Sequence, residues 1–265
     1  MCEKERIILT QKDLLDGLKK CGMKKGDNII VHTSLSSLGF VVGGAETVIR
    51  ALLEIVGEEG TIVMPSQTWK NLDPDKGVHW EEPKEWYDII RENWPAYDKY
   101  VTPAIGMGVV AELFAKWPGV KRSDHPARSV AAVGKNAEYI TKGHDLSNIF
   151  GDDSPIDKLY KLNGYILLLG VGYNKNTSFH LAETKAEFKS KKFTEESSAV
   201  MINGKREWVK YKTQDVDDSD FILMGQVYED ENNINVYKIG KAEVRYLEQR
   251  ALVDWSVKWM EKNRN

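Results

Sequence analysis

The chain has 265 residues, 42% hydrophobic and 29% charged, the balance of a folded globule, which excludes a mainly disordered state. Thirty-seven Lys and Arg against 40 Asp and Glu leave a net charge of -3 with no long basic run, which argues against nucleic-acid binding through a charged surface. The longest apolar stretch, nine residues at 165–173, is too short to span a bilayer, and two cysteines, Cys2 and Cys21, can build neither a disulfide framework nor a structural zinc site.

At the amino terminus Glu3 and Glu5 stand where a signal peptide would carry a basic region, so a cytoplasmic protein is expected. Thr10 with Asp13 forms a capping pair, and Leu14, Leu15 and Leu18 then mark one helical face before Gly22. The β-branched run over 28–32 predicts a strand, a Ser- and Gly-containing turn follows, and Val48, Ile49, Leu52, Leu53 and Val56 recur at helical spacing. Residues 60–65 supply the next strand. Strand, turn, helix and strand in this order read as a βαβ unit with a parallel sheet.

Residues 66–102 change character, being rich in Trp, Tyr, Pro and acidic side chains with weak periodicity, and read as an insertion. A helix over 107–116 and strands over 129–133 and 165–171 resume the α/β pattern. Asn203-Gly204, flanked by apolar and alternating segments, predicts a hairpin, and residues 241–262 predict a closing helix with Val244, Leu247, Ala251, Trp255 and Trp259 on one face. The expectation is therefore an α/β fold in one domain over 1–265. A largely parallel central sheet is flanked by helices, with an insertion over about 66–102 and a carboxyl-terminal hairpin and helix over about 190–265.

Nucleotide motifs fail. Gly170-Val171-Gly172 has Lys175 where a dinucleotide fingerprint needs its third glycine, and Gly39 to Gly44 lacks the Lys-Ser/Thr ending of a phosphate loop. More productive is Asn176-Thr177-Ser178-Phe179-His180-Leu181-Ala182-Glu183, a loop feeding a helix that puts His180 and Glu183 on one face. A first-turn histidine with a carboxylate one turn later suits a general base, and it equally suits a capping cluster with a packed histidine. The same pair could serve a metal-dependent hydrolase. With histidines only at 32, 79, 125, 144 and 180 and no second His-x-x-Glu pair, no metal site is expected.

Two further segments offer ligand contacts. His32-Thr33-Ser34-Leu35-Ser36-Ser37-Leu38-Gly39 places hydroxyls and backbone donors at a strand's carboxyl end, where open α/β sheets bind ligands. Arg122-Ser123-Asp124-His125-Pro126-Ala127-Arg128-Ser129 brings cations and hydroxyls just before another strand. In isolation each also reads as an ordinary polar loop.

Together these residues resemble the aminoglycoside 3-N-acetyltransferase family. The resemblance rests on the two segments just quoted and on Val63-Met64-Pro65-Ser66-Gln67-Thr68, Val101-Thr102-Pro103 with Met107-Gly108, Ser154-Pro155, and residues 166–171 leading into 176–183. It implies transfer of acetyl from acetyl-coenzyme A to an aminoglycoside, at the 3-amino group of the 2-deoxystreptamine ring, with antibiotic resistance as the consequence. It further implies His180 as the base, Glu183 as its orienting partner and Thr177 near the thioester. Thr33, Ser34, Leu35, Ser36 and Ser37 would line the coenzyme A site, joined by Ser123, His125 and Ser129. Thr33 stands for a frequent serine and Leu181 for a frequent aromatic, and Tyr97-Asp98-Lys99 follows the usual Phe-Asp-Pro only loosely, which leaves a different amine acceptor open. A polycationic acceptor needs carboxylates, and two clusters supply them, one with Asp73, Asp75 and Glu81 and one with Asp217 and Asp218. The expected partner is thus a small polycationic amine, without nucleic acid or membrane, and a homodimer is open.

Overall fold

The computed structural model describes residues 6–76 and 80–264, so Cys2 and His79 lie outside the described residues. The chain opens with β1 (Ile8–Leu9) and α1 (Gln11–Lys20). The predicted capping box is present: Thr10 Oγ1 accepts from the Asp13 N–H at 3.3 Å, and Asp13 Oδ2 accepts from the Thr10 N–H at 2.8 Å. Next come β2 (Asn28–Thr33), α2 (Leu35–Leu38), β3 (Phe40–Val41), α3 (Gly44–Val56) and β4 (Thr61–Pro65). The insertion holds α4 (Tyr87–Asn93), after which α5 (Val109–Phe114), β5 (Lys121–Arg122), β6 (Val130–Gly134), α6 (Ala137–Thr141) and α7 (Pro155–Lys161) lead to β7 (Tyr165–Leu169). The remainder comprises α8 (Ser178–Lys185), β8 (Lys192–Ile202), β9 (Lys205–Asp215), α9 (Phe221–Asn232), β10 (Tyr237–Ile239), β11 (Ala242–Glu248) and α10 (Gln249–Asn263).

Among the described residues, seven strands form one sheet in the order β10-β11-β7-β2-β4-β6-β5. Its side chains alternate between two cores. Ile29, Val31, Leu167 and Leu169 face one layer with α1, α3 and α5, while Ile30, Ile166 and Leu168 face the other with α6 through α10. A sheet covered on both faces explains why residues 166–169 are apolar without alternation.

The α/β class is as expected, but the sheet is parallel only at its centre, in β7-β2-β4. The outer pairings, β4 with β6, β5 with β6, β11 with β7 and β10 with β11, are antiparallel. On one side the antiparallel β4-β6 ladder continues past the strand ends, where the Ser66 N–H donates to Ser129 O at 2.9 Å and the Thr68 N–H to Ala127 O at 2.9 Å. On the other side, residues 242–248, expected to open the closing helix, form β11 instead. The three-residue spacing of Val244 and Leu247 fits a helix turn, yet the exposed edge of β7 offers a complete ladder from Val244↔Leu169 to Glu248↔Tyr165, and the helix starts only at Gln249.

The hairpin turns at Asn203 (φ 50°) and Gly204 (φ 77°), both left-handed, as a type I′ turn requires, and its strands are eleven residues each. The insertion docks on it: Asp73 Oδ2 accepts from Ser197 Oγ at 2.9 Å, and the Tyr97 N–H donates to Ala199 O at 3.0 Å. Among the described residues no helix is long and apolar enough to cross a membrane.

Candidate active site

The chain leaves β7 through Gly170 (φ 72°), makes a 3-10 turn at Tyr173–Lys175 and enters α8 with Thr177 at its N-cap. His180 and Glu183 then lie one turn apart, with His180 Nδ1 and Glu183 Oε2 at 3.0 Å. A carboxylate only accepts, so Nδ1 carries the hydrogen and Nε2 is the nitrogen able to take a proton. The Phe150 ring stacks on the imidazole at 4.8 Å with an interplanar angle of 18°, and Phe221 lies at 4.8 Å, tilted by 55°. These two rings fix the plane of the imidazole, whose residue side chain keeps 17% of its surface exposed.

Glu183 is 1% exposed. Its second oxygen, Oε1, accepts from the Asp217 N–H at 2.9 Å and from Arg264 Nη1 at 2.8 Å. All three partners of this carboxylate are therefore donors. A buried carboxylate so surrounded is an oriented acceptor for the Nδ1 hydrogen, the arrangement that selects one imidazole tautomer and stabilises the imidazolium formed on proton uptake.

The serine turn lies at the carboxyl end of β2. The Ser34 N–H donates to Leu169 O at 3.0 Å, extending the β2-β7 ladder by one bond. Ser37 Oγ donates to Ser34 Oγ at 2.8 Å and Ser34 and Ser36 hydroxyls lie 3.2 Å apart, while Leu35 opens α2 and the Thr33 hydroxyl is buried without a protein partner. A cavity of about 490 Å³ begins at Ser37 and runs past Gly170 and Gly172 towards Gln226 and Arg245. Gly170 is required where it stands: a Cβ there would meet Ser37 Cβ at 2.8 Å and Ser34 O at 3.3 Å.

Ser123, His125 and Ser129 are placed differently from the expectation of cofactor contacts. All three are fully buried and hydrogen-bonded inside the protein. Ser123 Oγ accepts from the Val130 N–H and meets His144 Nδ1 at 2.9 Å; His125 Nδ1 accepts from the N–H groups of Ala127 and Arg128; Ser129 Oγ donates to Ser66 O and accepts from Arg122 Nε. Burial pushes the imidazoles down, His144 to about 4 and His125 well below its ordinary value, so both belong to a neutral internal network. His32 is likewise buried, its pKa lowered to about 3. Among the described residues no three His, Cys, Asp or Glu side chains are grouped as metal ligands would be.

The two acidic clusters separate clearly. Asp73 accepts from Arg91 Nε at 3.0 Å and Nη2 at 2.8 Å, and Asp75 also pairs with Arg91, which ties the insertion together; Glu81 is exposed. Asp217 and Asp218 are exposed beside Glu183. The Ser219 N–H, donating to Asp217 Oδ1 at 2.9 Å, holds that carboxyl below its ordinary range. Of the expected residues, α8 thus brings together His180, Glu183, Thr177 and Asp217. Phe150, Phe221 and Arg264 were missed, since each comes from a distant segment without a motif around it.

Residues 30–261 match the family model described as aminoglycoside 3-N-acetyltransferase. The SPbeta prophage-derived aminoglycoside N(3')-acetyltransferase-like protein YokD of Bacillus subtilis (strain 168) is 42% identical over 255 residues, 96% of this chain and 93% of that protein. Its crystal structure superposes with a TM-score of 0.94 over 98% of this chain and 96% of that one. Aminoglycoside N(3)-acetyltransferase VII of Streptomyces paromomycinus is 32% identical over 96% of this chain and 92% of its own length. The structure of AAC-IIIb binary with CoASH is 27% identical, with a TM-score of 0.87 and 98% of both chains covered.

Proposed function

The chain belongs to the aminoglycoside 3-N-acetyltransferase family, and we propose that it transfers acetyl from acetyl-coenzyme A directly to an amine of an aminoglycoside, the 3-amino group of the 2-deoxystreptamine ring. The observation that carries this reading is the His180-Glu183 pair, with Nδ1 committed to the carboxylate and Nε2 available as base. An alkylammonium with a pKa of roughly 8–10 is mostly protonated at neutral pH and is no nucleophile, so the acceptor must lose a proton before or during attack.

In the proposed reaction the ammonium first gives one proton to solvent, and His180 Nε2 takes a second as the neutral amine nitrogen bonds to the thioester carbonyl carbon. Glu183 stabilises the resulting imidazolium. Collapse of the tetrahedral intermediate breaks the C–S bond, and the thiolate leaves with the proton returned from His180. Thr33 to Ser37 and the cavity beginning at Ser37 would receive the cofactor, Thr177 would lie near the thioester, and Asp217 and Asp218 would attract the polycationic acceptor. A cytoplasmic location goes with this reading, since the acetyl donor is an intracellular metabolite.

The test is release of free coenzyme A thiol from acetyl-coenzyme A over a panel of aminoglycosides and simple amines. Turnover with 2-deoxystreptamine aminoglycosides, and acetylation mapped to the 3-amino group, is the expected result. Turnover with simple amines alone would replace the acceptor while keeping the chemistry, and chelator-sensitive hydrolysis without acetyl-coenzyme A would overturn the reading.

A further inference from the structure

Arg264 is the first residue beyond α10, in extended backbone conformation, three positions past the span that matches the family. Its side chain is only 9% exposed and turns back between α8 and the loop before α9. Nη1 donates to Glu183 Oε1 at 2.8 Å, Nη2 to Asp217 O at 2.8 Å, and Nε and Nη2 form a fork on Asp220 at 2.8 and 2.5 Å. The guanidinium lies 5.5 Å from the Phe188 ring centroid and 5.9 Å from that of Phe221. Phe221 and Glu183 are two of the groups that touch His180. One cation from the end of the chain thus holds both the carboxylate and a ring that fix the imidazole.

The loop contact closes a circuit. Asp217 gives its N–H to Glu183 Oε1 and its carbonyl to Arg264, while Asp220 anchors the far side of the guanidinium. Without the guanidinium, Glu183 would be a buried carboxylate with only the Asp217 N–H on Oε1, free to rotate its plane away from Nδ1. A lysine ammonium has no fork and cannot meet Glu183, Asp217 O and both oxygens of Asp220 at once. We propose that Arg264 is a positioning residue that orients Glu183, and through it His180, for proton transfer. This rests on the reading of His180 as the base.

Two readouts separate this role from simple support of the fold. In Arg264→Met the expected result is a fall in kcat of roughly 10- to 100-fold, the scale of a small misplacement at a reacting centre, with the KM for acetyl-coenzyme A within about twofold. Arg264→Lys should recover only part of the loss. The second readout needs no turnover: the Nδ1 proton shared with Glu183 should give a downfield proton resonance, assigned by its absence in His180→Ala, and Arg264→Met should remove it while circular dichroism stays unchanged. Should Arg264→Met fail to fold, the same two measurements on Arg264→Lys decide. Wild-type kcat, or a resonance that persists while kcat falls, would overturn the proposal. If the wild-type chain acetylates nothing in the panel, the resonance still tests Arg264 on its own.

Discussion

Replacing Glu183 by Gln probes the site more sharply than removing it, because the side chain keeps its shape and exchanges one acceptor for a donor. Every partner of Glu183 donates: His180 Nδ1 at 3.0 Å on one oxygen, the Asp217 N–H at 2.9 Å and Arg264 Nη1 at 2.8 Å on the other. An amide retains two of these bonds, one of them charge-assisted, only by turning its oxygen towards Asp217 and Arg264. Its NH2 then faces His180. The imidazole must answer by accepting at Nδ1, which moves the hydrogen to Nε2 and blocks proton uptake there. Regaining the productive tautomer sets donor against donor in a buried site, about 1–3 kcal/mol, or roughly 10- to 100-fold in population. Loss of the charge that stabilises the imidazolium adds to this, and the corresponding wrong-tautomer change in a serine-protease triad costs about 10⁴ in kcat. A fall in kcat of ~10²–10⁴ is therefore expected, comparable with loss of the histidine. Initial rates at saturating acetyl-coenzyme A, with a thermal melt to show that the variant is folded, measure it. A folded variant with kcat within about threefold of wild type would refute this role and reduce Glu183 to a structural helix carboxylate.

Other expectations follow from the same geometry. His144 is neutral in the fold down to about 4, whereas an unfolded histidine titrates near 6.5, so above pH 6.5 its ionisation costs nothing and between 6.5 and 4 the unfolded state gains protons that the native state refuses. Stability should fall through that window by on the order of 3 kcal/mol, at 1.36 kcal/mol for each pH unit, and denaturant titrations from pH 7.5 to 4.5 should show a smaller fall in His144→Gln; an equal fall would contradict the assignment. Asp73→Asn should lower stability by roughly 1–3 kcal/mol through the lost Arg91 and Ser197 bonds, and leave the salt dependence of the acceptor KM unchanged. Asp217→Asn with Asp218→Asn should flatten that salt dependence, since screening acts over ~10 Å at 0.1 M ionic strength; an unaltered slope would make these carboxylates plain surface. Paired Ser34→Ala and Ser36→Ala changes should raise the KM for acetyl-coenzyme A more than that for the amine, and the reverse order would move the turn to the acceptor side.

Local signals were readable where one segment contains both cause and effect. The Thr10-Asp13 box, the Asn203-Gly204 turn and the helical face of α3 each rest on side chains a few residues apart. His180 and Glu183 were legible for the same reason, being a turn apart on α8. What escaped depends on distant partners. Residues 242–248 satisfy a helical spacing and become a strand only because β7 has a free edge. Ser123, His125 and Ser129 look like ligand contacts in one dimension, yet the strand ladder from β4 into Ser66 and Thr68 buries them. The acidic residues of the insertion could not be told from those near Asp217 by composition, because the difference lies in distant partners: Arg91 pairs with Asp73 and Asp75, and the Glu183 network adjoins Asp217. Arg264 reaches Glu183 across 81 positions, and nothing in its neighbourhood marks it.

The central claim is that His180 is the base for direct acetyl transfer, and the most direct test is coenzyme A thiol release by His180→Ala with an accepted aminoglycoside. Turnover is expected to be lower by ~10²–10⁴-fold, with coenzyme A affinity within severalfold of wild type because the base acts on the acceptor. A folded His180→Ala protein that keeps more than about a tenth of wild-type turnover would contradict it, since a positioned general base is worth far more than that.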